Sequence, residues 1–235
     1  MIKGILLDYG GTIDTNGRHW AEVLWECYRK NEILVTKEAF REAYKFGEYS
    51  LATLPLVTPA HDFLQVLQLK IEKQFSYLQQ KELLATGDYT QLVNKLAADA
   101  NMVAIESIRY TSSTLAYLAS KYPVVMVSNF YGNLETVLKT FGIRQYFQSI
   151  VESSLAGVRK PDPAIYSLGV EQLNLPAGEC LVIGDSYSKD ILPGKLAGCM
   201  TAWLRKEGWG DDPADIDKAD FIIGDFSEIT SLLKN

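Results

Sequence analysis

The sequence predicts an α/β protein, with a Rossmann-like, doubly wound parallel sheet as its core and a smaller all-helical insertion. Two observations support this prediction. In the C-terminal half, short and nearly continuous apolar runs alternate with helical segments, which is typical of parallel strands covered by helices on both faces. Between the first apolar run and that half, the apolar residues recur at helical spacing. We expect a core at residues 1–14 and 107–235 and a helical domain at residues 15–106.

Six apolar runs are expected to form the strands. The first, at residues 5–7, is separated from the others by the helical insertion. The remaining runs lie at residues 124–127, 149–151, 181–183, 201–204 and 221–223. Their short length and lack of strict alternation indicate strands that are buried on both faces of a sheet.

Helices are expected between these strands and throughout the insertion. One starts at Trp20, a second follows Thr36 as a plausible N-cap, and a third starts at Thr58-Pro59, a cap followed by a first-turn proline. Another runs from about Asp88. The third helix carries an apolar stripe that we interpret as a packing face: Leu64, Leu67, Ile71, Phe75 and Leu78. In the second half, helices are predicted at residues 134–141, before Gly142, and at 164–173.

Composition limits the class of protein. The 235 residues are 47% hydrophobic and 22% charged, as in an ordinary globular protein, and the net charge is −6. This acidic balance argues against nucleic acid and acidic membrane surfaces as partners, because both require a basic field. The sequence does not indicate an oligomeric state.

The cysteines and the apolar segments point to the cytoplasm. Cys27, Cys180 and Cys199 are widely spaced and odd in number, so we expect reduced thiols rather than disulfides or a zinc site. Neither a signal-length apolar core at the N-terminus nor a run of membrane-spanning length is present.

Polar residues follow the predicted strands where a ligand site is expected. In an open parallel sheet, ligands bind beyond the carboxyl ends of the strands. Asp8, Ser128 and Asp185 occupy these positions, and Lys160 lies in a strand-to-helix loop at residues 157–163. Taken singly, each has an ordinary structural explanation as a turn residue, helix cap or loop residue. Together they would place a nucleophile, a hydroxyl, a lysine and a second carboxylate at one sheet edge.

The order of these features resembles the four-motif signature of the haloacid dehalogenase (HAD) superfamily. The four motifs, in chain order, are Asp8-x-Gly-Gly-Thr12, Val127-Ser128-Asn129, Lys160-Pro161 and Gly184-Asp185-Ser186-x-x-x-Asp190. The resemblance covers the whole chain, and it implies that residues 15–106 form a cap domain inserted after the first motif. Competing phosphate motifs, the P-loop and Gly-x-Gly-x-x-Gly, are absent.

The resemblance implies a role for each motif. Asp8 would attack phosphorus and form an aspartyl-phosphate, with Lys160 offsetting the negative charge as the second catalytic residue. The phosphate group would be bound by Lys160 and by four further residues: Gly10, Gly11, Ser128 and Asn129. Mg²⁺ would be the cofactor, held by Asp8, the Gly10 carbonyl and Asp185. Asp190 would either join the metal ligands or orient Lys160, and Thr12 would tie down the first loop.

Gly10 is where the chain departs from the superfamily pattern. Phosphatase members carry an aspartate there, which protonates the leaving oxygen and later activates water. General acid–base catalysis contributes about 10²–10⁴ in rate, so its loss restricts the substrate class or silences the enzyme. Asp14, Tyr9 and His19 are the nearby residues that could substitute, although each also has a structural interpretation. His61 gives no stronger signal.

Three functions follow from this pattern. The leading hypothesis is a Mg²⁺-dependent phosphatase acting on a small phosphorylated metabolite. The second is carbon-bond hydrolysis of the dehalogenase or phosphonatase type, the latter needing a lysine of the cap for a Schiff base. Lys45 lies in the right region, but matching Gly47 to the loop glycine of that family puts the lysine position near Ser50. The third is a silenced phosphate- or partner-binding protein, as the Gly10 replacement suggests.

Substrate identity would depend on the cap. Five aromatic residues of its first two helices could line an entrance, although their helical spacing is also typical of core packing: Trp20, Trp25, Tyr44, Phe46 and Tyr49.

Overall fold

The computed structural model describes residues 1–206 and 218–233 and contains a six-stranded, all-parallel sheet. The spatial order of the strands is β3-β2-β1-β4-β5-β6. The strands are β1 Gly4–Leu7, β2 Val124–Ser128, β3 Ser149–Glu152, β4 Cys180–Gly184, β5 Met200–Leu204 and β6 Phe221–Ile223. All six predicted strands are confirmed, and the order reverses direction at β1, as in a doubly wound fold.

The centre of the sheet is where the first strand lies. β1 pairs with β2 on one side, where Leu7 is opposite Met126, and with β4 on the other, where Leu7 is opposite Ile183. Every residue of β1, β2 and β4 is buried. The residues that follow these three strands therefore meet at one edge of the sheet.

Nine α-helices lie among the described residues. Those before the second strand are α1 Trp20–Lys30, α2 Lys37–Thr53, α3 Phe63–Gln80 and α4 Thr90–Lys121. Those after it are α5 Leu134–Thr140, α6 Ser153–Ala156, α7 Ala164–Leu173, α8 Leu192–Leu196 and α9 Ile229–Leu232. A π-helical turn, Tyr187–Ile191, precedes α8. The predicted cap of α2 is present, because Thr36 accepts a hydrogen bond from the Ala39 amide.

The start of α3 differs from the prediction. Thr58-Pro59 does not begin the helix. Instead, Asp62 is the N-cap, and it forms a capping box with Gln65 in which each side chain accepts from the backbone of the other. Two reciprocal hydrogen bonds satisfy two helix-end amides, which a threonine followed by proline cannot do.

The helix α4 links the insertion to the sheet. It is continuous over 32 residues, and the expected boundary between residues 106 and 107 lies inside it. One hydrophobic cluster runs from the helices of the insertion to the sheet, for example from Leu67 and Leu96 to Leu115 and Ile183. The insertion is thus packed onto the sheet as well as onto itself.

Cys27, Cys180 and Cys199 are buried and form no disulfide, as predicted. Within the described ranges, none of the helices combines the length and the apolarity needed to cross a membrane.

Candidate active site

Asp8 lies at the centre of the sheet edge, directly after β1. Its amide donates to the Ile183 carbonyl at 3.0 Å, which continues the pairing with β4 by one residue. The Thr12 hydroxyl lies 2.9 Å from Asp8 Oδ2 and 3.3 Å from Asp185 Oδ1, and it accepts the Asp185 amide at 3.1 Å. Thr12 therefore ties the first loop to the loop after β4.

Lys160 reaches Asp8 from the loop before α7. Its ammonium group donates to Asp8 Oδ1 at 2.5 Å and to Asp190 Oδ1 at 2.6 Å. Burial alone would lower the pKa of Lys160, but Asp190 and Asp8 together raise it above its ordinary value. The raised pKa favours the charged form of the lysine, beside the Asp8 carboxylate.

Asn129 holds the backbone of Lys160. Its side-chain amide donates to the Lys160 carbonyl at 3.1 Å, and its carbonyl oxygen accepts the Lys160 amide at 2.9 Å. Asn129, for which the resemblance implies phosphate binding, thus positions the lysine in this structure.

Tyr166 is a site residue that sequence reasoning missed. Its hydroxyl donates to Asp190 Oδ1 at 2.7 Å, and the Ser186 amide donates to Asp190 Oδ2 at 2.9 Å. Asp190 is thus held by the side chains of Lys160 and Tyr166 and by the Ser186 amide. Tyr166 lies in an apolar helix and follows no strand, so nothing in the sequence distinguished it from a packing residue.

Three carboxylates could hold a metal ion at this edge. Oxygens of Asp8, Asp185 and Asp190 all lie within 4.8 Å of one another. Burial, followed by the charges of Asp8 and Asp190, raises the pKa of Asp185 well above its ordinary value. The pKa of Asp8 is also raised, chiefly by burial, although Lys160 opposes this effect. This excess of negative charge is what a divalent cation would relieve.

The residues predicted to donate hydrogen bonds to phosphate differ in their present neighbours. Ser128 Oγ lies 3.4 Å from Asp8 Oδ1 at the end of β2. The Gly11 amide instead donates to Asp14 Oδ1 at 2.7 Å. Gly11 has φ +92°, and a Cβ there would lie 2.4 Å from Asp185 Oδ2, so both the backbone and the space require glycine. At Gly10 nothing lies within 4 Å of an added Cβ.

The three candidates for the missing acid have different surroundings. Asp14 is buried, and burial raises its pKa to about 7. Burial lowers the pKa of His19 to about 4, and its Nδ1 caps α1 by accepting the Ala21 amide at 3.1 Å. Tyr9 is buried against Phe63, and burial raises the pKa of its hydroxyl well above the ordinary value. Of the three, Asp14 is the residue whose pKa is raised to near neutrality.

A cavity of about 830 Å³ opens above these residues. Its floor includes Asp8, Gly10, Ser128, Lys160 and Asp185. One wall, from α2, α3 and the segment between them, is apolar: Leu51, Leu54, Pro55, Val57, Phe63 and Val66. Of the five aromatic residues considered for the entrance, Trp20, Tyr44 and Tyr49 line this cavity, whereas Trp25 and Phe46 do not.

An ion pair between buried Lys70 and partly exposed Glu48 forms another part of the wall. Lys70 Nζ on α3 lies 2.6 Å from Glu48 Oε1 on α2, and the Tyr131 hydroxyl donates to Glu48 Oε2 at 2.7 Å. Burial raises the pKa of Glu48, but Lys70 and Tyr131 outweigh this effect and hold it below the ordinary value. Tyr131 lies three residues after Ser128, so this network connects the insertion to the second motif. No motif or residue spacing indicated this network in advance.

The structure does not bring Lys45 to the cavity. Its side chain is 71% exposed and forms an ion pair with Glu42 at 2.8 Å. Ser50 donates to the Phe46 carbonyl, and His61 lies outside the cavity lining. Lys70 is the lysine of the insertion that does line the cavity, but Glu48 raises its pKa above the ordinary value, which disfavours the neutral amine a Schiff base requires.

Comparison with known proteins agrees with the motifs. A sequence model described as "haloacid dehalogenase-like hydrolase" matches residues 2–198. The chain is 35% identical over 103 residues to 5-amino-6-(5-phospho-D-ribitylamino)uracil phosphatase YigB from Escherichia coli (strain K12), covering 44% of this chain and 42% of that protein. It is 31% identical over 94 residues to glyceraldehyde 3-phosphate phosphatase from Methanocaldococcus jannaschii, covering 40% and 41%. The chain thus spans about two fifths of the length of these curated relatives.

A solved structure extends the likeness in fold to the full length. The HAD hydrolase YfnB from Bacillus subtilis, bound to magnesium, superposes with a TM-score of 0.63 at 18% identity, covering 100% of this chain and 99% of that one. With its four motifs converging on Asp8 and the family match over residues 2–198, the chain belongs to the haloacid dehalogenase-like hydrolases.

Proposed function

We propose that this hydrolase is a Mg²⁺-dependent phosphatase of small phosphorylated metabolites that acts through an aspartyl-phosphate on Asp8. The arrangement around Asp8 carries the proposal. A buried carboxylate 2.5 Å from a lysine ammonium, at the floor of a cavity, can attack phosphorus while the lysine offsets the charge of the transferring group. The two relatives above that bear phosphatase names agree with it.

The donor set fits a hard divalent cation. Carboxylate and carbonyl oxygens are the ligands that Mg²⁺ prefers, and carboxylate oxygens of Asp8, Asp185 and Asp190 lie within 4.8 Å of one another. Asp8, Asp185 and the Gly10 carbonyl would hold the ion, with Asp190 orienting Lys160. When bound, Mg²⁺ would offset negative charge on a phosphate oxygen.

The lining of the cavity fits a small substrate that has both apolar and polar groups. Its apolar wall would contact a carbon skeleton, while Glu48 and Lys70 lie where polar groups of the substrate would pass. In this proposal residues 15–106 act as the cap, and contacts between them and the segment that runs from the loop after β2 into α5 hold the cap over the site. Those contacts are Tyr131 to Glu48, Asn133 to the His61 carbonyl at 2.8 Å, and Thr136 to the Pro59 carbonyl at 2.6 Å.

The test is phosphate release from a panel of phosphorylated metabolites, with and without Mg²⁺. We expect release by the unaltered chain, dependence on Mg²⁺, and loss on Asp8→Asn. The matched control is Asp88→Asn, which changes an exposed aspartate that lies outside the cavity lining. Absence of Mg²⁺-dependent, Asp8-dependent release from every substrate would falsify the proposal.

A silenced phosphate-binding protein is the second candidate, and Gly10 favours it. That function predicts normal binding of Mg²⁺ and inorganic phosphate with no turnover, and strong phosphatase activity after Gly10→Asp. High turnover by the unaltered chain excludes it.

A further inference from the structure

The position that carries the acid in phosphatase relatives is empty space in this chain. Gly10 faces the cavity, and no atom lies within 4 Å of a Cβ built there. A phosphatase of the proposed kind still needs a proton for the leaving oxygen and a base for water. These must come from another group near Asp8.

Asp14 is a carboxyl group of the same loop that lines the same cavity. It is buried, with Oδ1 accepting the Gly11 amide at 2.7 Å and Oδ2 accepting the Trp20 indole N–H at 2.9 Å. These hydrogen bonds place the carboxyl group next to the residue that follows Gly10. A carboxylate has about four acceptor positions, so two N–H donors leave each oxygen able to bind a proton.

The surroundings of Asp14 suit proton exchange at neutral pH. Burial raises its pKa to about 7, with Asp8 adding to the rise, while Gly11, Trp20 and Lys70 oppose it. The other titratable groups near it are Asp185 and Tyr9, whose own pKa values are raised by Asp14. A general acid and base works best when its pKa is close to the working pH.

We propose that Asp14 is the general acid and base of this site, in place of the acidic side chain that Gly10 lacks. This inference rests on the proposed phosphatase function. In the first step, a carboxylate oxygen of Asp8 bonds to phosphorus, the bond from phosphorus to the leaving oxygen breaks, and the Asp14 proton goes to that oxygen. In the second step, water bonds to phosphorus, its proton goes to Asp14, and the bond to Asp8 breaks to release inorganic phosphate.

The first test compares two substrates of similar shape, p-nitrophenyl phosphate and phenyl phosphate, in single turnovers with Mg²⁺. Phenolate is the poorer leaving group of the two. Asp14→Asn should slow phenol release from phenyl phosphate by about 10²–10⁴-fold, the usual contribution of a general acid, and nitrophenol release much less. Adding Gly10→Asp to Asp14→Asn should restore phenyl phosphate turnover, because the new side chain enters open space.

A role limited to holding the Gly11 loop predicts a different outcome. Both substrates would then slow equally in Asp14→Asn, and Gly10→Asp would not restore either. That result overturns the inference while leaving the proposed function intact. No release from either substrate by the unaltered chain contradicts the proposed function itself, and the inference with it.

A second measurement covers the case in which Asp14→Asn does not fold. Trp20→Phe keeps an aromatic ring but removes the N–H that lowers the pKa of Asp14. The pKa of Asp14 should rise, the acid should stay protonated to higher pH, and the alkaline limb of kcat/KM for phenyl phosphate should move upward. An unmoved limb overturns the inference.

Discussion

Lys160 Nζ lies 2.5 Å from Asp8 Oδ1, and the two side chains are 2% and 7% exposed. In a charge pair this buried, the attraction between the partners offsets part of the desolvation penalty of each, and loss of one partner would leave the other as an uncompensated buried charge. Asp8 and Lys160 are therefore a structural unit, and we expect the removal of one partner to affect folding as well as the proposed chemistry.

Lys160→Met should destabilise the metal-free protein strongly. The change leaves Asp8 and Asp190 buried without their counter-charge, and breaking a buried pair costs about 3–5 kcal/mol. Urea unfolding measures the free energy. Lys189→Met removes an exposed lysine of the same cavity and should change it by less than about 0.5 kcal/mol. Equal losses of unfolding free energy in the two variants would contradict the structural role of Lys160.

The two glycines of the first motif should tolerate alanine very differently. At Gly11 the methyl group would meet Asp185 at 2.4 Å on a backbone with φ +92°, so Gly11→Ala should cost at least about 2 kcal/mol of unfolding free energy. At Gly10 the methyl group would meet nothing within 4 Å, so Gly10→Ala should change the unfolding free energy by less than about 0.5 kcal/mol. Urea unfolding of both variants checks the contrast, and a tolerant Gly11 would disprove the close approach of Asp185.

Asp185→Asn should reverse its effect on stability when Mg²⁺ is added. Without metal, the substitution removes a carboxylate whose charge is disfavoured by burial, Asp8 and Asp190, so the variant should melt higher at neutral pH. With Mg²⁺ at 100 times its Kd, the unfolding free energy of the unaltered chain should rise by about 2.7 kcal/mol, and that of the variant should rise much less. Thermal melts with and without Mg²⁺ test this, and equal stabilisation of both chains would exclude Asp185 as a metal ligand.

Asp14 should make the stability of the protein fall as pH rises from about 4 to about 7. Its pKa is raised from 3.8 when unfolded to about 7 when folded, so the folded state binds the proton more tightly. The stabilisation is fully present below the unfolded pKa and is lost as pH rises through the folded one. The difference in unfolding free energy between the unaltered chain and Asp14→Asn should fall by at most about 1.4 kcal/mol per pH unit. A pH-independent difference would contradict the raised pKa.

Tyr131→Phe should weaken substrate binding more than turnover. It removes the hydroxyl that donates to Glu48, which is one of the contacts between the insertion and the loop after β2. We expect KM to rise about threefold to tenfold, in line with about 0.5–1.5 kcal/mol for one hydrogen bond, with kcat changed less. Steady-state kinetics on the best substrate measures both. Tyr110→Phe, which removes an exposed hydroxyl bonded to Asp225, should leave KM unchanged.

The strands and the four motifs were predictable from the sequence because their signals are local. A short apolar run such as residues 181–183 predicts a buried strand directly, and Asp185, shortly after this run, lies where a ligand is expected. The start of α3 was not predicted correctly, since Thr58-Pro59 and Asp62 both resemble helix starts. Only the reciprocal bond to Gln65 decides between them.

The remaining site residues were beyond prediction because packing brings them together. Glu48, Lys70 and Tyr131 come from two helices and a loop, and no spacing rule connects them. Tyr166 joins the site only because α7 packs so that its hydroxyl reaches Asp190. The pKa of Asp14 depends on complete burial, which its place in a glycine-containing loop does not indicate.

The open space above Gly10 also has an evolutionary consequence. Two of the four glycine codons become an aspartate codon by one nucleotide change, and the Cβ of a residue introduced at this position would meet no atom within 4 Å. Where Gly10 is encoded by one of those two codons, a single mutation introduces an aspartate here, and its Cβ needs no compensating change in the neighbouring residues. Persistence of glycine would then reflect selection for the present proton chemistry rather than a steric barrier to the alternative.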